Sequence, residues 1–225
     1  NKYKYRNFTW EGNSLYETEI LDETLNLNIG DGYSKSVFEE AVYQNVQSLY
    51  MDRGYLYSSI EPSFTPVGDD SLDVHFSITE NNQVYIRNIN IYGNDKTREN
   101  VIRRELDVFP GDLFRRTLMM RSMQKLHVLN YFDPTSLSPN VVPVDEDEID
   151  LDITLSEKSS DRASANIGFT GIYGMTGGMN LEFNNFLGMG QILSLGFDIG
   201  TQQQVGFYNI LSRSFPTGGN TVTLS

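Results

Sequence analysis

The sequence predicts an α+β chain: two tandem β-α-α-β-β repeats, then a run of antiparallel strands. Three observations carry this. First, "WEGNSLYETEILDETLNLNIGDGY" from Trp10 aligns with "IYGNDKTRENVIRRELDVFPGDLF" from Ile91, matching Gly12-Asn13 to Gly93-Asn94 and Gly30-Asp31 to Gly111-Asp112. Second, Tyr55, Pro62 and Pro66 recur as Phe132, Pro139 and Pro143, and "SLDVHFSITE" recurs as "EIDLDITLSE". Third, after Glu157 charge thins, glycine becomes frequent and short alternating segments follow. Self-similarity over a fixed period marks a repeated structural unit.

Each repeat is expected to open on a short strand, such as "VYIRNINIYG", ending at the Gly-Asn turn. A helix follows, with Val101, Ile102 and Leu106 toward a core and Arg103, Arg104 and Glu105 toward water. Gly-Asp then opens a second helix, where Leu118, Met119, Met123, Leu126 and Leu129 recur at three- and four-residue steps. Tyr131-Phe132 closes it, and two strands end the unit. In the last strand Ile149, Leu151, Ile153 and Leu155 alternate with Asp150, Asp152, Thr154 and Ser156.

The fourth element carries the prolines: Pro62, Ser63, Phe64, Thr65 and Pro66 in one repeat, Pro139, Asn140, Val141, Val142 and Pro143 in the other. Proline lacks an N–H and is confined to sheet edges. The fourth element therefore reads as an edge strand and the fifth as a deeper one. The expected domains are 1–82, 83–158 and 159–225.

The last domain offers five segments: 162–171, 178–185, 191–200, 205–214 and 220–225, separated by "IYGMTG", "FLGMG", "TQQQ" and "FPTGG". Met179, Leu181 and Phe183 oppose Asn180, Glu182 and Asn184. A soluble sheet could produce this. Segment lengths near those of a tilted membrane strand, and a bulky apolar face opposite small and charged residues, favour a membrane barrel. Five strands cannot close, and open edges are not tolerated in lipid. The chain also starts at Asn1 without an initiator Met or signal segment and stops inside "NTVTLS", so a longer protein is expected.

Composition narrows the function. Lys plus Arg number 17 against 30 Asp plus Glu, a net charge of −13 that disfavours nucleic acid. There is no cysteine, hence no disulfide or thiolate metal site. His75 and His127 lack partners at metal-ligand spacing. "GDGYSK" lacks the spacing of a phosphate loop, so both Gly-Asp pairs read as helix starts. "DEDEID" lacks the spaced ligands of a calcium loop and reads as a hydrated turn.

These repeats resemble polypeptide-transport-associated (POTRA) domains. The second, with "INIYGNDKTRENVIRRELDVFPGDLF" and "LHVLNYF", resembles the last such domain before the barrel in outer-membrane β-barrel assembly factors of the BamA type. "GGMNLEFNNFLGMGQILSLGFDIG" resembles the strand–turn–strand that follows, and "RSFPTGG" the next periplasmic turn. The resemblance implies a Gram-negative outer membrane, POTRA domains in the periplasm, and no enzyme activity, cofactor or metal. It implies unfolded outer-membrane β-barrel proteins, accessory assembly lipoproteins and the lipid bilayer as partners, and no nucleic acid. A two-partner secretion pore of the same superfamily is the alternative; a structural or adhesive surface protein is the reading from another class.

By position, the resemblance makes Arg162, Ala163, Ser164, Ala165, Asn166, Ile167, Gly168, Phe169 and Thr170 the first barrel strand and lateral gate. Its small side chains leave few cross-strand contacts, so backbone pairing would dominate. The resemblance gives the repeat edges a substrate-holding role, which the paired prolines would weaken. It sets Arg103, Arg104 and Glu105 toward an accessory lipoprotein; a solvated helix face is the plain alternative.

Overall fold

The computed structural model describes residues 3–171, 174–200 and 221–224. The expected strand at 205–214 and the turns "TQQQ" and "FPTGG" lie outside the described residues. The chain divides into two compact units: residues 1–90, 106–124 and 139–153, and residues 91–105, 125–138 and 154–225.

The first repeat lies wholly in the first unit. Its elements are β1 (Lys4–Glu11), α1 (Thr18–Leu25), α2 (Lys35–Glu39), a π-helical stretch (Glu40–Val46), α3 (Gln47–Met51), β2 (Ser59–Val67) and β3 (Ser71–Thr79). The sheet order is β1-β3-β2. β3 is central, parallel to β1 and antiparallel to β2, with Trp10 and Pro62 both opposite Phe76. Leu72, Val74, Phe76 and Ile78 point inward at every second position and are buried. They meet Leu21, Leu25, Phe38, Ala41, Val42, Val46 and Tyr50 from the helices. Each such large side chain contributes about 1.5–3 kcal/mol by leaving water.

The π-helical stretch has a cause in the spacing. Phe38, Val42, Val46 and Tyr50 recur at strict four-residue steps and are all buried. In an α-helix, four residues overshoot a turn by roughly 40° per step, so this row would drift off the core. A wider turn keeps it inward.

The second repeat repeats the order with β4 (Tyr85–Tyr92), α4 (Glu99–Arg103), α5 (Arg116–Val128), β5 (Ser138–Pro143) and β6 (Glu148–Thr154), in a sheet ordered β4-β6-β5. Val101, Ile102 and Leu106 are buried, as are Met123 and Leu126 on α5 and the pair Tyr131-Phe132. Ile149, Leu151 and Ile153 alternate inward along β6. The "DEDEID" segment is a tight turn in which Val144 and Asp145 both donate to the Glu148 carbonyl.

One expectation is corrected. The Gly-Asp pairs do not start the helices, which begin at Lys35 and Arg116. They pair with the first strand instead. Gly30 donates to Tyr5 O at 2.7 Å and Tyr5 to Asp31 O at 3.0 Å; Gly111 donates to Ile86 O at 2.7 Å and Ile86 to Asp112 O at 2.9 Å. Positive φ at Gly30 (94°) and Gly111 (91°) turns the chain into this bridge.

The joint between the repeats falls inside the first unit. Asp52 accepts from the Thr117 backbone N–H at 2.7 Å and from its hydroxyl, so a carboxylate of one repeat caps α5 of the next. Arg116 reaches Gln44 Oε1 at 2.5 Å and the Ser48 hydroxyl.

The second unit contains an antiparallel sheet ordered β10-β9-β8-β7, from β7 (Arg162–Thr170), β8 (Gly174–Phe183), β9 (Leu193–Gly200) and β10 (Thr221–Leu224). β8 starts four residues before the expected segment, because its pairing with β7 runs on to Thr170↔Gly174. Glycines there hid the strand, since they add nothing to an alternating pattern.

Candidate functional site

β7 is held by backbone pairing on one side. Its register with β8 runs from Arg162↔Glu182 to Thr170↔Gly174. Among the described residues its other edge has no strand partner, since it ends the sheet. Residues 162–169 are exposed throughout, Ile167 at 84% and Phe169 at 80%.

Register sorts the side chains. Ala163 stands opposite Leu181 and Leu181 opposite Leu195; Ala165 stands opposite Met179 and Met179 opposite Phe197. Directly paired residues share a face, so these form one apolar surface. Arg162, Glu182 and Ser194, then Ser164, Asn180 and Gly196, take the other. On β7 this row is alanine at 163 and 165 and becomes bulky again at Ile167 and Phe169. Among the described residues, its outer edge is a row of N–H and C=O groups without a strand partner, able to pair with an extended peptide.

β2 and β5 are edges of their sheets. On β2, Pro62 is half-buried, while Ser63, Phe64, Thr65 and Pro66 are exposed. Phe64 still packs on Phe38 at 5.1 Å and Tyr33 at 5.7 Å between ring centroids. On β5, Asn140 and Pro143 are exposed, while Pro139, Val141 and Val142 are half-buried. His75 on β3 sits between Thr9 Oγ1 (2.9 Å from Nδ1) and Glu11 Oε2 (3.3 Å from Nε2) on the sheet's outer face. Among the described residues, no three His, Asp or Glu side chains converge as a metal site.

The basic cluster separates. Arg103 pairs with Glu99 one helical turn back, at 2.6 Å. Arg104 donates to Glu105 at 3.3 Å. Its guanidinium also lies where a side chain at Gly190 would stand, so Arg104 flanks the turn after β8.

That turn carries no periodicity that marks a site. It contains a short 3₁₀ helix, Phe186–Gly188, and seats on residues 96–104. Asn185 donates to the Thr97 hydroxyl at 2.7 Å, and both residues are buried. The available signal was an "NNFLGMG" rich in residues that tolerate positive φ.

The chain is 29% identical over 152 residues to the outer membrane protein assembly factor BamA of Nitratidesulfovibrio vulgaris (strain Hildenborough), covering 67% of this chain and 19% of that protein. It is 26% identical over 176 residues to BamA of Neisseria meningitidis serogroup B, covering 78% of this chain and 22% of that protein. The chain thus spans about a fifth of these curated relatives. The crystal structure of Haemophilus ducreyi BamA lacking POTRA domains 1–3 superposes with a TM-score of 0.73 at 19% identity, covering 90% of this chain and 38% of that one. Haemophilus influenzae BamA POTRA3–5 gives 0.63 at 17% identity, covering 70% of this chain and 62% of that one. These likenesses establish the fold: two βααββ units of the POTRA kind, with strands following as in a BamA-type chain. The family model for POTRA, described as the surface antigen variable number repeat, matches residues 3–81 and again residues 84–158, and the chain belongs to that family.

Proposed function

We propose that the protein folds and inserts β-barrel proteins into the outer membrane, with β7 taking up a strand of the incoming chain along its outer edge. The observation that carries this reading is the one-sided pairing of β7, whose small residues leave the backbone as the main recognition element. Each ladder bond contributes about 1 kcal/mol net in water, and more in hydrocarbon, where no water competes for the donors. Pairing of this kind tolerates any partner sequence. It calls for no nucleophile, nucleotide or metal.

In this reading residues 1–82 and 83–158 are periplasmic domains that guide substrate and accessory lipoproteins, the latter at Arg103, Arg104 and Glu105. Residues 159–225 open the barrel in the bilayer. The edges at Pro62–Pro66 and Pro139–Pro143 hold extended segments only discontinuously, because each proline removes a donor.

These 225 residues hold no cysteine, so a thiol introduced here has no competitor among them. A cysteine at Ser164 or Asn166 is expected to crosslink to a nascent barrel strand. Crosslinks from Glu182 instead would indicate a secretion pore that threads its substrate. Depletion of the protein should lower outer-membrane barrel protein levels; unchanged levels would refute the proposal and point to a surface structural role.

A further inference from the structure

The turn between β8 and β9 has an unusual backbone. Asn185 (φ 53°), Leu187 (52°), Gly188 (71°) and Gly190 (70°) all stand at positive φ. Leucine rarely accepts that region, and such backbone persists only where its surroundings over-determine it. Here the surroundings are residues 96–104. The Arg98 N–H donates to Gly188 O at 2.9 Å. Asn185 Nδ2 donates to Thr97 Oγ1 at 2.7 Å, and Asn185 Oδ1 accepts from the Gly190 N–H at 2.8 Å. Asn185 is 4% exposed and Thr97 2%. A side chain at 188 would strike the Lys96 carbonyl, and one at 190 would strike Arg104 and Val101.

The platform beneath is itself fixed. The Glu157 carboxylate accepts the N–H of Lys96 at 2.8 Å and of Thr97 at 2.6 Å. Asn94 Nδ2 donates to Thr97 O at 3.0 Å. Next to the turn, the Asn184 N–H donates to Asp161 Oδ1 at 2.9 Å, tying the end of β8 to the residue before β7.

We infer that Asn185 and Thr97 form a latch that fixes the β8–β9 turn to the second repeat while the outer edge of β7 changes partners. The inference rests on the reading of β7 as a strand-accepting edge. A strand zipping onto β7 pulls it outward, and an unanchored sheet would yield by slipping register between β7 and β8. With the turn seated on residues 96–98, β8 stays in place and only the outer edge is remodelled. Thr97 is therefore a positioning residue, acting through Asn185.

The test compares Thr97→Val, which keeps the shape without the hydroxyl, with Thr97→Ser, which keeps the hydroxyl. Amide hydrogen exchange is read in the intact purified protein, on peptides covering 93–99 and 184–191. The latch predicts exchange about tenfold faster at Arg98 and Gly190 in Thr97→Val and near-parent rates in Thr97→Ser. In cells relying on each variant, only Thr97→Val should lower the yield of newly assembled barrel proteins. Parent-like exchange in Thr97→Val overturns the latch; fast exchange with unchanged assembly overturns its role. Thr97→Ala gives the same two readings if the valine variant does not accumulate. If depletion of the parent protein leaves barrel proteins unchanged, the proposed function fails, while the exchange comparison still decides the latch.

Discussion

Arg87 on β4 and Asp150 on β6 make a two-pronged ion pair, Nε to Oδ1 at 3.0 Å and Nη2 to Oδ2 at 2.7 Å. Arg6 and Asp73 make the same pair on β1 and β3 of the first repeat. The hydrogen bond from each arginine holds the carboxyl below the usual carboxylate range. A depressed folded pKa stabilises the fold above the unfolded value of about 4, and that contribution is lost as pH falls through the folded value. Asp150→Asn should therefore flatten the acid limb of the stability curve. Urea midpoints measured from about pH 6 down to about pH 2 would show it; a limb as steep as the parent's would contradict the assignment.

Gly93 stands at φ 89°, and a side chain there would run into the Leu155 carbonyl; Gly12, at 84°, faces Ile78 in the same way. Gly93→Ala combines left-handed strain with a backbone clash. We expect a loss of roughly 2–3 kcal/mol, read as a drop in Tm. An alanine tolerated without cost would mean the strand-to-turn approach is looser than described.

Glu157 takes two backbone N–H groups, and in the first repeat Glu80 takes the Leu15 N–H at 2.8 Å and the Ser14 hydroxyl. Removing the acceptor strands donors that strand geometry cannot satisfy. Glu157→Ala should cost about 1.5–3 kcal/mol and Glu157→Gln less. Chemical denaturation would rank them; equal effects would argue against a charge-assisted bond.

At the joint, Asp52→Ala leaves the first turn of α5 without its carboxylate. The expected cost is about 1 kcal/mol, with faster proteolysis of residues 81–84 between the repeats. Asp52→Asn, which keeps an acceptor, should be cut at near the parent rate.

Much of this was legible because duplication reads the same pattern twice. Ile149 to Leu155 and Leu72 to Ile78 announce buried strands by strict alternation. The prolines at 62, 66, 139 and 143 mark strands that lie at sheet edges in the structure. The π-helical stretch at Glu40–Val46 was hidden because the drift of a four-residue row accumulates over several turns and any one step looks helical. The early start of β8 was hidden by glycine, which carries no hydropathy. The Thr97–Asn185 contact joins residues far apart in sequence, and no local periodicity reports such a pairing. Arg104 faces water as its helix position suggests; its approach to Gly190 is the part that no local pattern reports.

Each repeat carries a complete set of its own fittings: a Gly-Asn corner, a terminal glutamate that satisfies it, and an Arg–Asp clamp across the sheet. A copy gained or lost leaves these internal donors satisfied; what must be refitted is the seam, where Asp52 of one copy accepts from Thr117 of the next. The reach of the array is then an evolvable length, adjustable by recombination while every module keeps the same internal blueprint.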